Sequence, residues 1–347
     1  MICLKEITLL LADSSPILRY LVLKELLDRP VDDSELLELE ELRYEDPLIK
    51  IFLTSQHKDG SWNKGIIPGS HSRSDFQMTC DILKRFGHCG LHDHPVVSKG
   101  IEYLFSFQQE DGSFPLQTYG NEADGIGTYD NIPLQTAIPL QSIIANGYYN
   151  DSRTKKAFDW LLSKQLEDGT WPTGIADEGV YGFVAGYRRL PRSIWGCRSN
   201  TTGSLSCLAL HPELRTCEKA KKGLDHLLGV TAFERQYLGF EIARTIGGEY
   251  SRGTFTYYKE IDQALILSLC WRIEATLEDK RVRNIVNWIE RSKNQNGLWP
   301  YEEKNHLTRW ISFDILRSLK KIKEFGDWND FFPETPFRKY DKINKRY

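Results

Sequence analysis

The sequence predicts an all-α fold in which paired helices close into a ring, and three observations lead to this prediction. A short motif returns several times along the 347 residues. Each copy follows an amphipathic helical pattern, and each is followed by a second helix that is apolar on more of its circumference. An amphipathic helix faces solvent on one side, whereas a helix that is apolar nearly all round is buried. The repeated unit is therefore an outer helix, a turn and an inner helix.

The motif at the turn is a glutamine, a glycine four residues later and an aromatic residue two after that. Its copies are Gln56–Trp62, Gln108–Phe114, Gln165–Trp171 and, with lysine in the first position, Lys293–Trp299. The glycine stops the outer helix, because it accepts the left-handed conformation of a C-terminal cap. Successive motif glycines are 52 (60 to 112), 57 (112 to 169) and 128 (169 to 297) residues apart. The long last interval predicts a degenerate repeat near residues 228–255.

The helical periodicity places the elements of the ring along the chain. Six inner helices with five or six outer ones would close around a central cavity. We therefore expect a single toroidal domain at 46–325, preceded by a helical segment at 1–45 and followed by a tail at 326–347. The acidic stretch 32–46 is predicted as a solvated surface helix, and strand signals are weak, the most tempting being at 254–258. The outer helices are predicted at 46–56, 96–109, 153–165, 217–229 and 280–293, and the inner helices at 16–28, 74–86, 133–146, 201–210, 260–273 and 308–322.

Composition excludes several classes of protein. Lys and Arg number 45 against 48 Asp and Glu, so the net charge of −3 argues against nucleic-acid binding, which needs a basic excess. The seven cysteines form no CxxC pair and indicate reduced thiols in a cytoplasmic protein. Residues 1–16 lack the pattern of a signal peptide, and we expect no membrane-spanning segment. Peripheral membrane contact and the oligomeric state are left open.

The motif on a ring of paired helices resembles the repeats of squalene and hopene cyclases and of protein prenyltransferase β subunits. The resemblance covers residues 46 to 322 and implies an α/α toroid, in which the motif glutamine caps neighbouring helices and the aromatic ring stacks between repeats. It also implies an isoprenoid ligand. We therefore expect a terpene cyclase-like or prenyltransferase-like protein that binds a polyprenyl or terpenoid chain in a central apolar cavity.

The motifs that carry the chemistry of these families are altered in this sequence. The cyclases protonate their substrate with an Asp-x-Asp-Asp motif followed by Thr-Ala, and its counterpart at 132–137 keeps Thr136 and Ala137 without any acid. The prenyltransferases bind zinc through Asp-x-Cys and a distant histidine, which correspond here to Asp262–Ala264 and Met78. We therefore expect a divergent member that binds no zinc and no cofactor. Whether it is catalytically active is left open.

Candidate site residues lie near the predicted starts of the inner helices, where parallel helices bring them to one rim. Asp130 is the first candidate acid because it lies just before 132–137, and three further candidates could assist it, namely Asp75, Asp262 and His71. Aromatic faces stabilise carbocations, and arginines receive an anionic group, so the candidate substrate-binding residues are Phe76, Tyr129, Tyr257, Tyr258, Trp310, Arg198 and Arg309. Core packing of the aromatic residues, and capping of the helix after Arg198 by Asn200 or Thr201, are the structural alternatives.

Other interpretations of the sequence are left open. His88, Cys89, His92 and His94 form either a metal cluster or a polar loop. Two further classes of function compete with the isoprenoid interpretation: a polysaccharide lyase or glycosidase, and a non-catalytic interaction protein. A long apolar tunnel would favour an isoprenoid, a wide polar groove a carbohydrate, and a filled centre an interaction protein.

Overall fold

The structure is a computed structural model that describes residues 4–67, 74–114, 133–172, 182–184, 188–190, 196–229, 235–249, 260–301 and 304–324. Helices dominate the described residues. In chain order they are α1 (Leu4–Leu11), α2 (Pro16–Leu21, prolonged by a π-helical turn at Val22–Leu26), α3 (Ser34–Leu42), α4 (Pro47–Ser55), α5 (Asp75–His88), α6 (Pro95–Phe105), α7 (Pro133–Ala145), α8 (Ser152–Ser163), α9 (Arg198–Leu210), α10 (Glu218–Leu228), α11 (Phe240–Thr245), α12 (Gln263–Arg272), α13 (Lys280–Arg291) and α14 (Asn305–Glu324).

The inner helices α5, α7, α9, α12 and α14 pack in that order, each against the next, and α14 also packs on the π-helical turn after α2. The outer helices α4, α6, α8, α10 and α13 precede them in the chain. The predicted all-α toroid is confirmed, and both sets of helices fall within a few residues of their predicted bounds. The acidic segment forms α3, as predicted, with Leu37 half exposed at 50%.

Strands are short in the described part of the chain. β1 (Gly182–Val184) pairs antiparallel with β2 (Arg188–Leu190), and β3 (Arg235–Tyr237) pairs parallel with β4 (Glu260–Asp262). The tempting strand at 254–258 lies outside the described residues. Among the described helices, none combines the length and the apolar character needed to cross a membrane.

The motif turns join neighbouring repeats through side-chain hydrogen bonds. In the first copy, the Gln56 amide donates to the carbonyls of Gly60 at 2.9 Å and of Val96 at 2.7 Å, the latter in the first turn of the next outer helix. Trp62 is fully buried and donates through Nε1 to the Phe52 carbonyl at 2.8 Å. The glutamine therefore ties a turn to the following outer helix, whereas the resemblance implied that it caps a helix end.

The turn glycine could not be replaced without strain. Gly60 has φ +94°, and a Cβ there would lie 2.3 Å from the carbonyl oxygen of Lys99 in α6. The second and third copies repeat the glutamine bond to the next outer helix. Gln108 donates to the Arg153 carbonyl at 2.9 Å, and Gln165 donates to the Lys219 carbonyl at 2.8 Å. These motifs are thus accounted for by packing between repeats.

The degenerate interval places a short helix against the ring. It contains β3 and α11, and α11 contacts α5, α12 and α14. The Arg85 guanidinium in α5 donates to the Thr245 carbonyl at 2.7 Å. Gly239 is pressed against Ile311 of α14, since a Cβ there would come within 2.4 Å of that side chain. α11 therefore bridges inner helices on both sides of the ring.

Candidate functional site

One face of four inner helices, α5, α7, α9 and α14, is fixed against the outer layer by a hydroxyl. The backbone N–H groups of the motif aromatics donate to Thr79 (3.1 Å), Thr136 (3.1 Å), Thr201 (3.0 Å) and Ser312 (2.9 Å). Residues about half a helical turn away lie on the opposite face, which borders the lumen of the ring. On α5 this lumen face consists of partly exposed residues, namely Gln77, Asp81, Lys84 and His88.

Polar and charged residues also lie on the lumen faces of α12 and α14. Ser268 and Arg272 lie on the face of α12 that remains partly exposed. Asp314 and Arg317, one helical turn apart on α14, form an ion pair that is 9% exposed on each side. The described lumen faces therefore carry charged side chains beside apolar ones such as Leu265 and Trp310, and the apolar cavity stays a prediction.

A small cavity lies between α5, α7 and α11. Its volume is about 10 Å³, the space of a single water molecule and far less than an isoprene unit needs. Burial lowers the pKa of Lys84, while the charges of Glu241 and Asp81 raise it and offset part of that effect. The cavity is lined by Cys80, Asp81, Lys84, Ile138, Gln141, Ser142, Arg244 and Thr245.

Asp262 is the candidate acid with the most altered environment among those that the structure describes. It caps the N-terminus of α12, at the rim where the inner helices begin, and is 3% exposed. Its carboxylate accepts hydrogen bonds from the N–H groups of Gly239 (2.8 Å), Glu241 (2.8 Å) and Ala264 (3.1 Å). Burial raises the pKa of Asp262 to about 6, against the lowering effect of these bonds, and the nearby charge of Glu241 raises it further.

The other candidate acids divide into one with a structural role and two that cannot be placed. Asp75 begins α5 and accepts a hydrogen bond from the Lys64 N–H at 2.8 Å, which holds the loop before the helix. The remaining predicted site residues that lie outside the described residues are Asp130, His71, Tyr129, Tyr257 and Tyr258.

Of the aromatic candidates, Trp310 borders the lumen and Phe76 does not. The Trp310 ring lies 6.3 Å from the His88 ring on the lumen face of α5. Phe76 is 2% exposed and meets Phe107, which follows outer helix α6, edge-on at 5.0 Å. The prediction that Phe76 faces the cavity is wrong, because its position on α5 turns it toward the outer layer.

Of the arginine candidates, Arg309 is committed to packing. Its guanidinium binds the Ala12 carbonyl and the Asp13 carboxylate, both at 3.2 Å, at the end of α1. These contacts give Arg309 a structural role between α14 and the end of α1, and its role toward a substrate stays a prediction. Arg198 is the first residue of α9 and is partly exposed.

The alternative that Asn200 or Thr201 caps α9 is also wrong. Cys197 occupies the N-cap position of that helix. Asn200 instead accepts from the Leu134 N–H at 2.7 Å in the neighbouring inner helix, and Thr201 accepts from the Trp171 N–H. Both side chains thus serve packing between repeats.

The histidines of the 88–94 segment point to different surroundings. His88 borders the lumen, the His92 side chain is 47% exposed, and His94 caps α6 by accepting from the Val96 N–H at 3.3 Å. Across the described ranges, no group of three or more His, Cys, Asp or Glu side chains is arranged to hold a metal ion. The polar-loop interpretation therefore describes this segment.

The charged lumen residues were missed by sequence reasoning. Asp81, Lys84 and His88 recur at three- and four-residue steps on a helix whose other faces are buried. That periodicity could have identified them, since charges spaced in this way on an inner helix share one face. The contribution of α11, with Glu241 and Arg244, had no comparable signal because the repeat is degenerate there.

Comparisons with known proteins point to one superfamily. The profile of the squalene-hopene cyclase C-terminal domain matches residues 48–183. Squalene–hopene cyclase of Zymomonas mobilis is 28% identical over 146 residues, which are 40% of this chain and 21% of that protein. Squalene-hopene cyclase of Schizosaccharomyces japonicus is 30% identical over 149 residues, 28% of this chain and 22% of that protein. The match to these relatives thus spans about a fifth of their length.

Among solved structures, the chain is similar to a protein from Actinoplanes, with a TM-score of 0.48 and 14% identity over 92% of this chain and 98% of that one. It is also similar to type II terpene cyclase MstE from Scytonema, with a TM-score of 0.36 and 15% identity over 80% of this chain and 96% of that one. The predicted resemblance to the squalene and hopene cyclases is confirmed by the sequence matches, whose identities of 28% and 30% are consistent with a divergent sequence.

Proposed function

We propose that this protein acts on an isoprenoid by protonation, with Asp262 as the proton donor. The observation that carries the proposal is a carboxyl group, 3% exposed, whose pKa burial raises to about 6 at the start of an inner helix. The sequence match of residues 48–183 to squalene-hopene cyclases supports the substrate class.

The surroundings of Asp262 suit a group that must first hold a proton and then release it. Protonation of an alkene breaks the carboxyl O–H bond and forms a C–H bond with the π electrons, so the donor is left as an anion beside a carbocation. The N–H groups of Gly239, Glu241 and Ala264 would stabilise that anion. The charge of Glu241 favours the protonated form beforehand. Together they replace the paired acids that the 132–137 segment lacks.

The proposal places the ligand at the rim beside Asp262. A long hydrocarbon is poorly accommodated among the charges of the described lumen, because desolvating Lys84 or Arg272 against an apolar chain is unfavourable. The cavity near Lys84, about 10 Å³ in volume, also excludes it. We therefore do not propose that the isoprenoid lies in a long apolar tunnel through the ring.

The test compares parent protein, Asp262→Asn and a matched control, Asp279→Asn. Asp279 also caps a helix, α13, but on the outer layer. The three proteins are incubated with squalene and with prenyl diphosphates between pH 5.5 and 8, and extracts are analysed for cyclic products. We expect product from parent and control, none from Asp262→Asn at equal thermal stability, and a rate that rises as pH falls toward 6. Equal product from Asp262→Asn would exclude Asp262 as the donor.

A non-catalytic interaction protein is the second candidate, and the position of α11 favours it. This helix contacts inner helices α5, α12 and α14, which leaves less open space inside the ring. Absence of product from a stably folded parent protein on every prenyl substrate tested would support this candidate and contradict the first.

A further inference from the structure

We propose that the lumen binds an oxyanion of the phosphate or diphosphate class between His88 of α5, Arg272 of α12 and Arg317 of α14. This site does not depend on the proton transfer proposed for Asp262. It rests on where these side chains lie, on two buried nitrogens that have no hydrogen-bond partner, and on the cationic groups that act on His88.

The three side chains converge on the lumen from different inner helices. His88 ends α5 and Arg272 ends α12, and both remain partly exposed on the lumen faces of their helices. Arg317 lies on the lumen face of α14, two helical turns after Trp310. The Trp310 ring is 6.3 Å from the His88 ring. Trp310 therefore forms an aromatic wall beside the group.

Two buried nitrogens in this group have no hydrogen-bond partner. One is His88 Nε2, and the other is Nε of Arg317, a residue that is 7% exposed. The other nitrogens of Arg317 bind Glu25 and Asp314. Buried polar atoms are normally satisfied, and Nε–H of Arg317 is a donor, as is His88 Nε2 when it carries a proton, so these two point to an acceptor that binds between them.

Arg272 has no carboxylate partner among the described residues. Its guanidinium lies 4.3 Å from the centroid of the adjacent Trp271 ring, and its Nε reaches Ser268 Oγ at a long 3.4 Å. Arginine at a partly buried position is ordinarily paired with a carboxylate or a phosphate, which its planar fork matches in bidentate fashion. The fork of Arg272 is therefore available to a ligand.

Four cationic side chains act on His88. Burial holds the pKa of His88 well below its usual value, and the charges of Arg317, Arg272, Lys84 and Arg85 lower it further. Burial and the charge of Arg317 lower the pKa of Arg272 to about 10, while Asp314 and Glu25 offset only part of this effect. A bound oxyanion would relieve this repulsion and would raise the pKa of His88.

Two sources can supply such an anion: free phosphate or diphosphate, and the head group of an amphiphile. Asp262 and Arg272 lie at opposite ends of α12, about 15 Å apart at 1.5 Å per residue. An anionic head group at Arg272 would thus lie well away from the ligand proposed at the rim. The experiment therefore includes a free anion and an ester of the same anion.

Isothermal titration calorimetry with inorganic diphosphate, inorganic phosphate and a prenyl diphosphate tests the site at matched ionic strength. The variants are Arg272→Gln and His88→Gln, and the control is Arg283→Gln on α13, whose guanidinium binds the Leu277 and Glu278 carbonyls on the outside of the ring. Removal of one charge-assisted interaction is expected to weaken binding about tenfold or more. Binding by the parent near pH 6 is expected to take up protons, seen as a dependence of the heat on the buffer.

Binding of inorganic diphosphate by parent and Arg283→Gln, weakened about tenfold in Arg272→Gln, supports the site as one for a free anion. Tighter binding of the prenyl ester with the same loss in Arg272→Gln supports a head-group site. No binding of any of the three by the parent, or unchanged affinity in Arg272→Gln, overturns the proposal. If Arg272→Gln does not fold, His88→Gln decides by the same criterion together with loss of the proton uptake.

Discussion

Three of the four motif turns differ from the fourth in how they hold the next part of the ring. In the first three, a neutral glutamine bonds the first-turn carbonyl of the next outer helix. In the fourth, Lys293 occupies that position and pairs with Glu6 of α1 at 3.0 Å and with Glu290 at 2.7 Å. The repeats are joined by neutral hydrogen bonds, whereas the ring is closed onto its own N-terminus by charge.

The turn glycines differ in the same way. A Cβ on Gly60, Gly112 or Gly169 would meet the backbone of the next outer helix, at 2.3, 2.4 and 2.7 Å respectively. A Cβ on Gly297 would meet the Glu6 side chain at 3.0 Å. We call the contact between a motif turn and the element it packs against a seam. A side chain at a seam can move to relieve a close contact, whereas helix backbone cannot, so the junction between Lys293 and Glu6 is expected to be the adaptable point of the ring.

The largest expected effect is common to both kinds of turn. Trp171 and Trp299 are fully buried, and their Nε1 groups donate to the Leu161 carbonyl at 2.8 Å and to the Ile289 carbonyl at 2.7 Å. Replacement of either by alanine is expected to destabilise the protein by about 3–5 kcal/mol. Urea denaturation measures the change. A Trp171→Ala variant that unfolds like the parent would contradict the packing role assigned to the motif.

The turn glycines provide the next largest effect and the sharpest contrast. Gly169→Ala is expected to cost about 2 kcal/mol or more, from the left-handed conformation at φ +88° and from contact with the Lys222 backbone. Gly297→Ala has similar strain, at φ +82°, but meets a side chain that can move. Thermal denaturation is therefore expected to show a smaller loss of stability for Gly297→Ala than for Gly169→Ala. Equal costs at the two positions would remove the distinction between backbone and side-chain seams.

Substitution of the first motif residue distinguishes turns that are held by neutral hydrogen bonds from the turn that is held by an ion pair. Gln165→Ala loses two hydrogen bonds and is expected to cost about 1–2 kcal/mol, with little dependence on salt. Lys293→Ala leaves the buried Glu6 without this partner, and its cost is expected to shrink as salt is raised from 0.05 to about 0.5 M. The double variant Glu6→Gln with Lys293→Gln serves as control, since it should restore a neutral seam. A salt response of the Gln165 variant equal to that of the Lys293 variant would contradict the comparison.

The smallest effect concerns alkaline pH. Burial lowers the pKa of Lys293, but its hydrogen bonds with Glu290 and Glu6 outweigh burial and raise the pKa above the usual 10.5. Because the folded-state pKa is the higher one, this contribution to stability is complete below pH 10.5 and is lost as pH rises through the folded-state value. Stability of the parent is expected to fall more steeply there than that of the neutral double variant. If stability fell in parallel in the two proteins above pH 10.5, the assigned contribution of Lys293 would be refuted.

The repeated part of the fold could be predicted because its signals are local. The motif copies at Gln56, Gln108 and Gln165 fix the spacing of helices, and amphipathic periodicity separates inner from outer ones. The candidate site could be predicted less well. Asp262 could be named as a candidate because it lies near the start of a predicted inner helix. The outward direction of Phe76 depends on the rotation of α5, and the contacts of Arg309 depend on the docking of α1, which no local pattern predicts. The position of α11 inside the ring depends on long-range contacts such as that of Arg85, which no local pattern reports.

The seam also has a consequence for the order in which the ring assembles. The bonds of the motif glutamines join residues 40, 45 and 54 apart in sequence, whereas the seam bond from Lys5 to the Gln295 carbonyl spans 290 residues. The longer loop corresponds to between two and three doublings of loop length, and closing it costs roughly 1.5 kcal/mol more in chain entropy. Neighbouring repeats can therefore dock pairwise as each pair forms, and the contacts of α1 with the fourth turn are favoured only after the repeats between them are in place. The folding nucleus is expected within the repeats, and amides of α1 are expected to exchange hydrogen earlier than those of α7 and α9.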